Sequence, residues 1–164
     1  MVDPDDGAPL ESRPPRLEDL LKICDALNAS GSKYVVVGGM AVIQAGFVRA
    51  TEDIDLLVDA SPENIERIRR ALSVLPDQAV RDVRPDDVSR YTVVRVADEV
   101  VVDLMKSACG IEYAEAANEV EVVTIRGVAI PFARPELLLR LKQTVREKDA
   151  LDRRFLEELI ARRG

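Results

Sequence analysis

One stretch, residues 33–59 (KYVVVGGMAVIQAGFVRATEDIDLLVD), constrains the fold more than any other part of this chain. Its first apolar run, Tyr34–Val37, is too short for a helix and rich in β-branched residues, so we predict a buried strand. A glycine pair ends that strand, and Met40–Ala45 is predicted to form a short helix that ends at a left-handed Gly46. A second strand is predicted over Asp53–Val58. The rest of the chain is organised around this strand–turn–helix–strand unit.

The second predicted strand carries two carboxylates with one residue between them. Side chains alternate along a strand, so Asp53 and Asp55 point the same way, while Ile54, Leu56 and Val58 point into the core. Two like charges on an otherwise apolar strand repel each other, and burying even part of them is costly. A divalent cation bound between them removes that penalty, and carboxylate oxygens suit Mg²⁺. The pair is therefore a candidate metal site.

The glycine pair, Gly38 and Gly39, is a candidate anion site. A Gly-Gly turn that leads into a helix lets backbone N–H groups approach an anion closely, and the helix dipole adds to the attraction. Each motif also has a plain structural interpretation: an ordinary tight turn for the glycines, and solvated edge-strand charges for the aspartates. Their order and spacing together favour a nucleoside triphosphate bound with its metal.

Composition limits the available chemistry. The chain has 164 residues and no histidine, which excludes Ser-His and Cys-His nucleophilic machinery and histidine-ligated zinc. A net charge of −7 argues against broad nonspecific nucleic-acid binding. Cys24 and Cys109 lack a C-x-x-C spacing and are interpreted as inert, partly buried thiols of a reducing cytoplasm. No apolar run approaches membrane-spanning length, so we expect a cytoplasmic protein with no membrane partner.

The rest of the chain predicts one domain of the α/β (α+β) class. Residues 1–15 are polar and aperiodic, which predicts a flexible tail, and residues 16–164 are predicted to form a single domain. Amphipathic helices and paired strands are predicted at residues 17–29, 61–75, 91–96 with 99–104, and 120–125 with 128–131. We predict a small mixed, twisted sheet of four to five strands with flanking helices, mainly on one side, and C-terminal helices.

A third carboxylate, Asp103, interrupts the apolar run Val100–Met105. A charge there is costly unless it is paired, hydrogen-bonded or metal-bound, and the alternative is an edge charge that faces water. Towards the C-terminus, Pro135 is predicted to begin a helix whose core-facing residues are Leu138, Leu141 and Val145. Another face of that helix is predicted to carry charged residues at i, i+4 and i+7, namely Lys142, Arg146 and Asp149.

These motifs resemble those of a known family. Gly38-Gly39, thirteen intervening residues and Asp53-Ile54-Asp55 resemble the signature of the polymerase-beta-type nucleotidyltransferase superfamily. Arg49–Asp55, RATEDID, is similar to the Arg-x-Thr-x-Asp-x-Asp version of bacterial abortive-infection (AbiEii-like) toxins, and Lys142–Asp152, KQTVREKDALD, resembles their later Lys…Lys-Asp-x-x-Asp motif. That subgroup carries Gly-Gly where many relatives have Gly-Ser, so Gly39 is not a departure, although it removes a hydroxyl suited to phosphate.

The resemblance implies a nucleotidyltransferase fold and a set of site residues. Expected catalytic residues, which would also hold Mg²⁺ or Mn²⁺, are Asp53, Asp55 and Asp103, the last of which would also take the acceptor proton. Expected nucleotide-binding residues are Gly38, Gly39, Arg49, Thr51 and Lys142, the last of which would meet the triphosphate. Arg49 would either contact phosphate or support the Asp53–Asp55 strand. The roles of Lys148, Asp149 and Asp152 stay open, and a Lys148–Asp152 pair would be purely structural.

The predicted function is Mg²⁺-dependent transfer of a nucleoside monophosphate from a nucleoside triphosphate to a hydroxyl acceptor, with release of pyrophosphate. The acceptor is a tRNA, a protein or a small molecule. The resemblance implies a toxin–antitoxin setting with a cognate toxin or antitoxin as partner. Alternatives are an antitoxin that nucleotidylates its partner toxin, and a noncatalytic nucleotide-binding or interaction module. Three converging carboxylates count against the module, which has little reason to keep them.

Overall fold

The structure is a computed structural model and describes residues 11–163. It contains both helices and strands. The helices are α1 (Leu17–Ala29), α2 (Gly38–Gln44), α3 (Pro62–Leu72), α4 (Asp87–Arg90), α5 (Tyr113–Ala116), α6 (Pro135–Leu141) and α7 (Glu147–Arg163), with a 3₁₀ turn at Ala79–Asp82. The strands are β1 (Tyr34–Val37), β2 (Asp53–Val58), β3 (Val94–Ala97), β4 (Val101–Met105), β5 (Ser107–Ala108), β6 (Ile111–Glu112), β7 (Val120–Ile125) and β8 (Val128–Ala133).

Six of these strands form one mixed sheet in the order β3-β4-β2-β1-β8-β7, and β5 and β6 form a separate two-stranded hairpin. The β2–β4 and β1–β8 pairs are parallel, whereas β1–β2, β3–β4 and β7–β8 are antiparallel. The predicted α/β class and mixed sheet are confirmed. The sheet has six strands instead of four or five because the β7–β8 hairpin extends the main sheet along the edge of β1.

The core lies between one face of the sheet and the long helices. Helix α1 packs against α3 and β8, and α2 packs against β1 and β2. Along β2, Ile54 and Leu56 are fully buried, whereas Asp53 and Asp55 keep some solvent exposure. The predicted alternation on β2 is therefore present, and it leaves both carboxylates on the face opposite the core residues.

The predicted C-terminal helix is wrong in one respect. Helix α6 ends at Leu141 and α7 begins at Glu147, so the predicted face of charged residues spans a break. Val145 lies in the connection and is fully exposed instead of buried. The side chains of Thr144 and Arg146 both donate hydrogen bonds to Asp149 in the first turn of α7. The Thr144 bond joins side chains five positions apart, which do not face each other on a continuous helix, so it forms only because the helix is interrupted.

The N-terminal segment contacts the domain where the structure describes it. Residues 1–10 of the predicted tail lie outside the described residues, and residues 12 and 13 lie beside the β3–β4 hairpin. The Ser12 hydroxyl donates to the carbonyl oxygen of Asp98 (2.6 Å), and the Arg13 backbone N–H donates to that of Glu99 (2.9 Å). The Arg13 guanidinium also pairs with Asp19 of α1. Between residues 11 and 163, no helix is long and apolar enough to cross a membrane.

Candidate active site

Strand register brings the predicted carboxylates to one level of the sheet. Asp55 of β2 is paired with Val37 of β1 on one side and with Asp103 of β4 on the other, and Asp103 is paired with Arg95 of β3. Asp53 lies two residues before Asp55 and on the same face. One carboxylate oxygen from each of the three aspartates lies within 4.8 Å of the others. Sequence-predicted residues from two strands therefore form one cluster.

The partly buried carboxylates of this cluster repel one another, and the pKa values of two of them are raised. Burial, followed by repulsion from Asp53 and Asp103, raises the pKa of Asp55 from 3.8 to about 7. Burial, followed by repulsion from Asp103, also raises the pKa of Asp53. Carboxylate oxygens are ligands that Mg²⁺ and Mn²⁺ accept, and a divalent cation would stabilise the ionised carboxylates against both burial and mutual repulsion. The three aspartates therefore fit a divalent cation.

The glycine pair is required by close packing on both of its sides. Gly38 has a φ of +66°, and a Cβ added there would lie 2.0 Å from Oδ2 of Asp55. A Cβ at Gly39 would lie 2.4 Å from the Thr51 hydroxyl oxygen. The helix begins at Gly38 itself, two residues earlier than predicted. Gly38 lets the backbone turn lie against a candidate metal ligand, and Gly39 leaves room for the buried Thr51.

Arg49 and Thr51 lie behind the glycine turn. The Arg49 guanidinium Nη2 is 2.9 Å from Oδ2 of Asp152 on α7, and the Thr51 hydroxyl donates to the carbonyl oxygen of Asp53 (3.2 Å). Both residues line a separate, largely apolar cavity of about 340 Å³. Of the two roles left open for Arg49, this placement favours support: the side chain links the α2–β2 loop to α7.

Lys142 is a buried cation held by two buried carboxylates. Its Nζ lies 3.2 Å from Oδ1 of Asp149 and 3.0 Å from Oδ2 of Asp152. Burial acts to raise the pKa of Asp149, but hydrogen bonds from Thr144 and the charge of Lys142 hold that pKa below its usual value. Within the described part of the chain no ion pair joins Lys148 to Asp152, because the partners of Asp152 are Lys142 and Arg49. The structural pair suggested for Lys148 is therefore not formed.

The carboxylates and Lys142 open onto one cleft of about 580 Å³. Four basic side chains line it around the three aspartates: Arg95, Lys142, Arg146 and Lys148. Gly38 lies in its wall and Gly39 does not. Cys109, predicted to be partly buried, is exposed at this cleft, on the turn of the β5–β6 hairpin, whereas Cys24 is buried in the core.

Sequence reasoning missed Arg95. Its guanidinium donates from Nε and Nη2 to the two oxygens of Asp103, each at 2.9 Å, and Nη2 lies 3.4 Å from Oδ2 of Asp53. These contacts raise the pKa of Arg95, first through the hydrogen bond to Asp103. The predicted hairpin, with its turn at residues 97 and 98, would place residue 95 opposite residue 100, whereas the observed register places Arg95 opposite Asp103.

The profile of the nucleotidyl transferase AbiEii toxin family, of type IV toxin–antitoxin systems, matches residues 19–148. The chain belongs to this family. Because that match contains both the Asp53–Asp55 strand and Asp103, the family's homology includes the whole carboxylate cluster. It also contains Lys142.

Among the solved structures whose fold resembles that of this AbiEii-family chain, one covers most of both chains. It is a protein from Thermotoga maritima proposed to be a nucleotidyltransferase, with 23% identity, coverage of 87% of this chain and 92% of that one, and a TM-score of 0.57. At that identity the likeness concerns the fold alone. No curated protein matches the chain significantly.

Proposed function

We propose that this chain transfers a nucleoside monophosphate from a nucleoside triphosphate to a hydroxyl acceptor and releases pyrophosphate. The observation that carries the proposal is the carboxylate cluster of Asp53, Asp55 and Asp103, open to a cleft whose other charged side chains are all basic. Carboxylates suit a metal, and the basic rim suits the phosphates of a metal–nucleotide complex. Membership of the AbiEii family supports the same activity.

Asp53 and Asp55 would hold a divalent cation, and Asp103 would complete the ligand set from the neighbouring strand. When bound, a divalent cation supplies Lewis-acid stabilisation of the charge on the phosphoryl oxygens. In the reaction, a bond forms between the acceptor oxygen and the α-phosphorus. The bond from that phosphorus to the bridging oxygen of pyrophosphate breaks. Asp103 takes the proton of the acceptor hydroxyl, a role open to a carboxylate at hydrogen-bonding distance.

Lys142 and Lys148 are the cations we assign to the triphosphate. A lysine ammonium has three N–H donors, and the contacts of Lys142 to Asp149 and Asp152 use two of them. The third remains for a phosphate oxygen in the cleft, and the two buried aspartates keep the ammonium in place. Lys148 is exposed at the same cleft. Its charge opposes the rise in the pKa of Asp53 and Asp55, so it lies within electrostatic range of the cluster.

Gly38 would present its backbone to the phosphates, while Arg49, Thr51 and Gly39 support the turn from behind. This division differs from the sequence-based expectation that all of these residues bind nucleotide. We assign Arg49 to positioning because its guanidinium is committed to Asp152 of α7. The same contact ties the loop before β2 to the helix that holds Lys142.

In the cell we propose the toxin role that the family name carries, with a cognate antitoxin as partner and a tRNA, protein or small-molecule hydroxyl as acceptor. The direct test is incubation of the full chain with Mg²⁺, total tRNA, cell lysate and each nucleoside triphosphate, labelled in parallel at the α- or the γ-phosphate. Nucleotidyl transfer places the α label on an acceptor and releases the γ label as pyrophosphate.

The matched control is Asp53→Asn with Asp103→Asn, which removes two charges from the cluster with little change in shape. We expect both labels to remain on free nucleotide in that variant. Transfer of the γ label to an acceptor would show a kinase instead. Undiminished α-label transfer by the variant would remove the cluster from the chemistry.

A further inference from the structure

The guanidinium of Arg95, on the edge strand β3, contacts two carboxylates of the cluster. The fork of Nε and Nη2 engages both oxygens of Asp103 at 2.9 Å, and Nη2 also reaches Asp53 at 3.4 Å. A guanidinium that meets a carboxylate in this two-point geometry makes one of the stronger ion pairs in proteins. Asp103 therefore has no oxygen in this structure that is not already engaged by Arg95.

The two partners differ sharply in burial. The Asp103 side chain is 7% exposed, whereas that of Arg95 is 60% exposed on the edge strand β3. Asp103 cannot turn to water without leaving the sheet face, but the Arg95 guanidinium can rotate into the cleft that it already lines. The mobile member of the pair is therefore the arginine.

Arg95 and a divalent cation require the same carboxylate oxygens. A metal held by Asp53 and Asp103 would lie against the guanidinium, and two cations at that distance repel each other. The guanidinium must leave Asp103 before that aspartate can serve as a ligand. Once displaced, its planar fork matches phosphate oxygens as well as it matches a carboxylate.

We propose that Arg95 is a placeholder cation: it neutralises Asp103 and Asp53 in the metal-free enzyme, and it exchanges them for a phosphate of the incoming nucleotide when metal enters. This inference rests on the proposed nucleotidyl transfer and adds a positioning residue to it. It makes metal and nucleotide binding cooperative, because each ligand removes a cost that the other would otherwise meet. Metal alone binds weakly, and metal with nucleotide binds well.

The first test is titration of the full chain with Mn²⁺ in the absence of nucleotide. The concentration of unbound Mn²⁺ is measured by electron paramagnetic resonance. Arg95→Ala should bind Mn²⁺ about tenfold more tightly than the wild type, because the metal no longer displaces a charge-assisted fork. Arg146→Ala is the matched control, since it removes one positive charge from the same cleft without vacating either aspartate. It should change Mn²⁺ affinity by less than about threefold.

The second test measures cooperativity. Binding of a nonhydrolysable triphosphate analogue is titrated with and without Mn²⁺ for the wild type, Arg95→Ala and Arg95→Lys. The gain in nucleotide affinity on adding metal should fall by about tenfold in Arg95→Ala. Arg95→Lys should lie between the two, because lysine keeps the charge but loses the fork. Circular dichroism verifies that each variant is folded.

The outcomes separate this inference from the proposed function. Equal Mn²⁺ affinity in the wild type and Arg95→Ala, or equal tightening in Arg95→Ala and Arg146→Ala, would overturn the placeholder role while leaving the metal site intact. Absence of Mn²⁺ binding in every variant, with and without nucleotide, would overturn both. If Arg95→Ala does not fold, the Mn²⁺ affinity of Arg95→Lys is the deciding measurement. An affinity identical to that of the wild type would refute the competition between the Arg95 guanidinium and the metal for Asp103.

Discussion

The raised pKa of Asp55 predicts an unusual dependence of stability on pH in the metal-free protein. Its carboxyl has a pKa of about 7 in the folded chain and an ordinary value of 3.8 otherwise. For an acid whose folded pKa is raised, the favourable contribution is complete below 3.8 and is lost as the pH rises through about 7. Above that pH the Asp55 carboxyl is ionised in the folded state, where it lies partly buried beside two other negative charges.

The size of the effect follows from the shift. A difference of about three pKa units, at 1.36 kcal/mol each, corresponds to a cost of about 4 kcal/mol above pH 8. At pH 5 the cost is between about 1 and 2 kcal/mol, because only the unfolded chain has lost the proton. Asp55→Asn removes the titration, so its free energy of unfolding relative to the wild type should increase by about 2–3 kcal/mol between pH 5 and pH 8.

The assay is urea denaturation in chelator at several pH values between 5 and 8, for the wild type, Asp55→Asn and Glu157→Gln. Glu157 is an exposed acid on α7, and its variant controls for the loss of one negative charge. Addition of Mg²⁺ at pH 8 should stabilise the wild type and not Asp55→Asn. Parallel stability curves for the wild type and Asp55→Asn across this range would show that Asp55 is an ordinary solvated carboxylate.

Two further predictions concern the turn and the buried lysine. Gly38→Ala should stay folded but lose Mg²⁺-dependent stabilisation and reduce transfer at least about a hundredfold, because its Cβ would displace Asp55. The control is Gly127→Ala, because Gly127 also has a positive φ and its Cβ would enter open space. Equal activities of the two variants would refute the packing argument. Lys142→Met should lower the free energy of unfolding by about 3–5 kcal/mol in urea denaturation, since it leaves Asp149 and Asp152 buried without their shared cation. A loss below about 1 kcal/mol would mean that these charges are solvated.

Much of the site was readable in the sequence because its signals are local. The alternation of β2 places Asp53 and Asp55 on one face wherever that strand pairs, since side chains on any strand alternate. The glycine pair predicted a tight turn, and the structure adds that a Cβ at Gly38 would meet Asp55. Asp103 stood out because a charge inside an apolar strand requires a partner.

What the sequence determined by itself was therefore periodicity, turns and the cost of a charge in an apolar run, all of which act over a few residues. Only the tertiary structure decided which strands are neighbours, and so that Asp103 lies opposite Asp55 and that Arg95 covers it. The break between α6 and α7 and the contact of Arg49 with Asp152, 103 positions away, depend on buried ion pairs. Such pairs form only when distant segments exclude water together, and no local pattern of residues encodes that condition.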